Sequence, residues 1–124
     1  MKNGLTTGSV SKALMEFSRP LLDEMKPFLK NDDSDKKILE NIFFITTVVW
    51  DALVLDKIEG GNKNVTELLL SAATGPDGLD RQVDMLIKRK KRLFSDHKYL
   101  ISDPNVRWEN DQWILNATAR MSKG

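Results

Sequence analysis

The sequence predicts an α+β domain: four or five helices around a central buried helix, with a C-terminal antiparallel β-hairpin. Three observations carry that expectation. Apolar residues recur at helical spacing from Val10 to Phe94. The segment 34–58 is apolar on nearly every side, which marks a helix surrounded by its neighbours. Beyond residue 99 the period drops to two, around an Asn110-Asp111 pair suited to a type I′ turn.

The first helical stretch presents Val10, Leu14, Phe17, Leu21, Met25 and Phe28 at helical spacing. Pro20 and Pro27 each remove a donor and crowd the preceding turn, so residues 9–30 are expected as a kinked helix or two short ones. Residues 1–8 are expected to fray. Asn31-Asp32-Asp33-Ser34-Asp35 reads as a loop that caps the next helix. In that helix Ile38, Ile42, Ile45, Val49, Ala52 and Leu53 form one stripe. Phe43, Phe44, Trp50, Val54 and Leu55 cover much of the remainder. Gly60-Gly61-Asn62 ends it.

Asn64 and Glu67 have capping-box spacing and open a third helix to about Ala73. After the turn at 74–78, Asp77 is expected to cap a fourth helix, 78–95. Its inward residues are Leu79, Val83, Leu86, Ile87, Leu93 and Phe94. In the hairpin, Trp108 should pair with Trp113 and Val106 with Leu115. Leu100, Val106, Trp108, Trp113, Leu115, Ala117, Ala119 and Met121 then share the inner face. The whole chain, 1–124, reads as one domain.

Composition narrows the function classes. Hydrophobic residues make up 40% and charged residues 30%, a globular balance. There is no cysteine, so disulfides, thiolate metal sites and cysteine nucleophiles are excluded. The single histidine, His97, cannot build a typical zinc site alone, and as a loop residue it is expected to be exposed. No metal and no cofactor is expected. Gly60-Gly61-Asn62-Lys63 lacks the phosphate-loop pattern, and the 31–35 loop lacks calcium-loop spacing.

The N-terminus has no signal-peptide core, and Ile42–Leu55 is interrupted by Thr46, Thr47 and Asp51. The expectation is therefore a cytoplasmic protein with no membrane span. Net charge is +1, which selects no partner class. The charge is uneven, however. Residues 1–78 hold 9 basic and 12 acidic side chains, while residues 79–124 hold 10 and 6.

Four groups of residues invite a functional reading. Lys88-Arg89-Lys90-Lys91-Arg92 is a basic run, in which Lys88, Arg89, Lys91 and Arg92 project from the apolar stripe. They are candidates to contact phosphate or an acidic partner, or else form a solvated face. Lys90 and Asp56 fall on apolar stripes, where they either pair or lie at helix ends facing water. Asp51 interrupts the most apolar helix, with Glu40 and Thr47 on the same face. The three are candidates for a ligand pocket, or Asp51 is a structural hydrogen-bond acceptor. Ser95-Asp96-His97 adjacency is not a triad, because triads are defined by spatial geometry.

Val49-Trp50-Asp51-Ala52-Leu53-Val54-Leu55-Asp56, with Lys88–Phe94 and Leu100-Ile101-Ser102-Asp103, resembles a set of small bacterial helical proteins. These share a Trp-Asp/Asn-Ala-x-Val-Leu-Asp segment and a Lys/Arg-rich helix. The resemblance spans roughly residues 14–120 and implies a bacterial, cytoplasmic setting. It brings no activity, ligand or catalytic residue.

The leading functional expectation is a non-enzymatic protein-interaction or accessory domain, with a protein partner or a homo-oligomer. The alternatives are a nucleic-acid accessory protein using the basic run, and a small-ligand binder or enzyme built at Asp51.

Overall fold

The computed structural model describes residues 7–120. Helix α1 spans Thr7–Met25, α2 Lys36–Glu59, α3 Lys63–Ala73 and α4 Leu79–Leu93. Strands β1, Leu100–Glu109, and β2, Gln112–Arg120, follow as one antiparallel hairpin. Short 3-10 turns at Lys26–Phe28 and Asp33–Asp35 join α1 to α2. The α+β class is as expected.

Helix α2 is the centre, touching α1, α3, α4 and β1, while β2 lies over α1. Trp50 is fully buried near its middle. Phe17 meets that ring edge-on at 5.3 Å between centroids, and Phe94 and Tyr99 each lie at 5.6 Å. Such contacts each add about 1 kcal/mol beyond area burial.

Helix α1 runs unbroken through Pro20 rather than dividing there, and begins at Thr7. Proline leaves the carbonyl four residues earlier without its helical donor. That carbonyl belongs to Glu16, and Arg89 from α4 supplies the missing donor at 2.7 Å.

Helix starts depart from the expected caps. Asp35 occupies the α2 cap position, but its carboxylate accepts from the Lys30 and Asn31 amides instead, closing the loop backwards. Helix α4 starts from Gly78 at φ +87°, with no side-chain cap from Asp77. Asn64 does not cap α3 either. Asp56, reaching across from α2, accepts the Asn64 and Val65 amides at 2.8 and 2.9 Å.

The hairpin has the expected register at its tip, Trp108 opposite Trp113 and Val106 opposite Leu115. Asn110 and Asp111 both have positive φ, as a type I′ turn requires. A bulge between Ser102 and Asn105 was not anticipated. Pro104 lies inside it and has no N–H for the ladder, so pairing is interrupted there. The bulge shifts parity. Ile101, opposite Ala119, therefore takes the inner-face register that was assigned to Leu100. Leu100 is buried as well. Met121 lies outside the described residues.

Three expected core residues are on the surface: Phe28 and Phe44 are each 67% exposed and Leu93 is 51% exposed.

Candidate interaction surface

The polar groups on α2 are largely accounted for by the fold. Asp51 Oδ1 accepts the Ile101 amide at 2.8 Å, which fastens the start of β1 to α2. Burial pushes its carboxyl up to about 6, against the lowering effects of that hydrogen bond and of Arg120. Thr47 is buried one turn away, and its Oγ1 has no hydrogen-bond partner among the described residues. Glu40 is exposed. Four surface cavities of 270, 310, 210 and 140 Å³ lie elsewhere, and none is lined by Glu40, Thr47 or Asp51.

Asp56 is buried rather than facing water. Burial pushes its carboxyl up, but hydrogen bonds from the Val65 amide and from the Asn64 amide and side chain outweigh that and lower it. It serves as the N-terminal cap of α3 from another helix.

Lys90 is buried too, at 4% exposure, and it does not pair with Asp56. Its ammonium donates to the carbonyls of Phe94 and His97 at 2.8 and 3.0 Å and lies 4.5 Å from the Trp50 ring centroid. It therefore closes the C-terminus of α4 over the aromatic core. Burial pushes the amine down to about 8, and nearby Lys57 adds repulsion. His97 is half-buried, not exposed. Its ring packs edge-on against Trp50, Phe94 and Tyr99, and burial, then Lys90, lower its pKa. Two of the cavities, 270 and 310 Å³, flank Lys57 and Lys90. Both amines are committed there: Lys57 donates to the Ser95 carbonyl at 3.2 Å.

The basic run divides by role. Arg89 is turned into the protein, donating to the Glu16 and Phe17 carbonyls at 2.7 and 3.2 Å. Lys88 is exposed and paired with Asp84 at 3.0 Å. Lys91 and Arg92 are exposed. The structure thus leaves Lys88, Lys91 and Arg92 outward and uses Arg89 to complete α1.

What the sequence did not single out is the outer side of α2. Asn41, Phe44, Val48, Asp51, Leu55 and Ile58 follow an alternating three- and four-residue spacing, the repeat of a helix-packing seam. None of the six is buried. Phe44 is 67% exposed, Ile58 40% and Val48 36%. Helix α3 borders the seam on one side, across an apolar groove of 140 Å³ lined by Phe44, Val48, Leu68, Ala72 and Leu79. Strand β1 borders it on the other, at the Asp51–Ile101 bond. The available signal was the sequence spacing itself. It was hidden because a helix apolar all round reads as wholly buried.

By length and composition alone the segment Asp33–Glu59 is long and apolar enough to cross a membrane, a test that the core helix of a folded domain also passes. In this fold it is the central helix, with Leu39, Ile42, Phe43, Val49, Trp50 and Val54 packed inward.

Comparison with family models, with curated proteins and with solved structures returned no match.

Proposed function

We propose that this chain is a non-enzymatic protein-interaction or accessory domain of a bacterial cytoplasm, and that its contact surface is the outer seam of α2. The observation that supports this reading is the row Phe44, Val48, Leu55 and Ile58 on the open side of the central helix, beside an apolar groove. Exposed apolar surface of this continuity marks interaction sites more often than scattered apolar residues do.

A photo-crosslinking residue placed at position 44, compared with one at Glu109 on the exposed hairpin tip, tests it. A discrete adduct from position 44 and none from position 109 is the expected result. Equal labelling from both positions, or none from either, refutes the reading.

A nucleic-acid role rests on Lys88, Lys91 and Arg92 alone. It requires binding that weakens steeply with salt, because phosphate contacts release counterions. Absence of binding to a mixed DNA and RNA pool at low salt removes it.

A further inference from the structure

We infer that a cavity of 310 Å³ between α2, the C-terminal end of α4 and the segment before β1 binds a small organic carboxylate with an apolar body. Nothing in this site depends on the α2 seam being a contact surface, although Ile58 belongs to both.

The lining divides into two chemistries. Leu53, Val54 and Ile58 from α2 supply an apolar wall. Lys57, Lys90, Lys98 and His97 are the titratable groups that line it, and all four are bases. Among the described residues no carboxylate forms an ion pair with any of the three lysines. The neighbouring 270 Å³ cavity differs in this respect, because Asp56 lines it. At 310 Å³ the basic cavity lies at the small end of ligand pockets, which suits a guest of metabolite size.

Lys90 is the group that asks for a counter-charge. Buried charges are ordinarily paired with opposite ones. Lys90 is 4% exposed, and the charge that acts on it is the positive one of Lys57. The fold uses only part of either amine. An ammonium carries three donors. Lys90 gives two, to the Phe94 and His97 carbonyls, and Lys57 gives one, to the Ser95 carbonyl. Donors therefore remain, chiefly on Lys57. His97 adds a further unused atom, since its Nδ1 is buried with no hydrogen-bond partner among the described residues. An anion at this corner takes up spare donors and supplies the missing charge.

The rest of the lining selects the kind of anion. No arginine is present to grip a phosphate in a fork. A phosphate dianion also costs more than a carboxylate to bring against three apolar side chains. A bare inorganic ion would leave half-buried Leu53 and exposed Ile58 facing water. An apolar chain covers them, at a gain of about 25 cal/mol per Å². A neutral or cationic guest would leave the repulsion between the lysines unrelieved.

His97 is the single histidine of the chain, so its ring signals in proton NMR report on this cavity. The charged groups about the ring are Lys90 from α4, Lys57 from α2, and Asp96 and Lys98 beside it in the chain. Burial and then Lys90 hold its pKa down, whereas Asp96 raises it. A bound carboxylate acts in the same direction as Asp96. Titration of the full chain with hexanoate should saturate in the millimolar range and raise the ring's titration midpoint by at least about half a pH unit. Acetate and hexanol each keep half of that chemistry and should bind about tenfold more weakly. Lys57→Gln, at an exposed position, should weaken hexanoate about threefold, while Lys37→Gln at the opposite end of α2 should leave it unchanged. No change with hexanoate overturns the site. Equal binding of acetate overturns the apolar body, and equal binding of hexanol overturns anion recognition. Tighter binding of hexyl phosphate overturns the choice of a carboxylate. Equal effects of the two lysine variants reduce the binding to net charge and overturn the site as well.

Discussion

Replacing Lys90 with methionine separates the two opposing effects of a buried ammonium. Methionine keeps the unbranched apolar stem and removes the charge. Removal leaves the Phe94 and His97 carbonyls without their 2.8 and 3.0 Å donor. A buried carbonyl left unpaired costs about 1–3 kcal/mol, and the lost contact with the Trp50 ring about 1 kcal/mol. Against this, the ammonium is itself held at a disadvantage. Its pKa falls from 10.5 to about 8, equivalent to about 2–3 kcal/mol after allowance for screening at the pocket mouth. The net expectation at pH 7 is a loss of about 1–3 kcal/mol on Lys90→Met.

The pH dependence is the sharper test. The unfolded chain keeps this proton to about pH 10.5, whereas the folded chain releases it near 8. Between those values the unfolded state binds more protons, so the Lys90 contribution to stability rises with pH. The gap between the unmodified protein and Lys90→Met should therefore widen by about 2 kcal/mol from pH 7 to pH 10. Urea unfolding followed by tryptophan fluorescence reads this directly, because Trp50 lies under the ammonium. Using the difference between the two proteins cancels the titration of the other lysines and of Tyr99, which burial raises to about 12. A gap independent of pH would show that the ammonium is solvated. A gap that narrows would show that the two carbonyls outweigh desolvation. Either result refutes the reasoning.

Three further substitutions probe the other buried polar groups. Asp51 has a raised folded pKa of about 6, so its contribution to stability is lost as pH rises through 4–6; Asp51→Asn should flatten a change of about 1–2 kcal/mol between pH 4 and pH 7 in denaturation midpoints. Arg89→Ala strips the donor from the Glu16 carbonyl opposite Pro20 and should cost about 1–2 kcal/mol, with Pro20→Ala in the same background restoring part of it; equal losses with and without Pro20 would disprove the link. Asp56→Ala should cost about 2 kcal/mol and speed amide exchange at Asn64 and Val65 most of all, and uniform exchange across α3 would argue against a capping role.

The sequence carried the architecture because the architecture depends on period. The change from helical spacing to alternation located the hairpin, and Asn110-Asp111 located its turn. Caps were less legible. Asp35, Asn64 and Asp77 each have the right chemistry at the right local spacing. The α3 cap came instead from Asp56, eight residues before Asn64 and on another helix. Local rules cannot see a carboxylate delivered by tertiary packing. The parity error at Leu100 has a simpler cause: Pro104 forces a bulge, and one extra residue exchanges the two faces. Lys90 was misplaced because a terminal lysine facing water is the common arrangement. The carbonyls that hold it belong to a chain reversal at residues 94–97 that periodicity does not describe.

The segment Trp50–Asp56 prompted the suspicion of a functional site, and its polar groups are all occupied by the fold. Trp50 Nε1 donates to the Tyr99 carbonyl at 2.9 Å, Asp51 receives Ile101, and Asp56 receives Asn64 and Val65. In seven residues α2 thus fixes both the entry to β1 and the start of α3. That accounts for the inward and lateral sides of the helix. It does not account for Phe44, Val48, Leu55 and Ile58, which satisfy no polar group and form the open edge of the core. Leu55 still packs against the core, but Phe44 at 67% exposure gains little from burial and carries a risk of aggregation. On the reading proposed above, the reason for that row lies in a contact outside the single chain, and the open face of α2 is where that reading is tested.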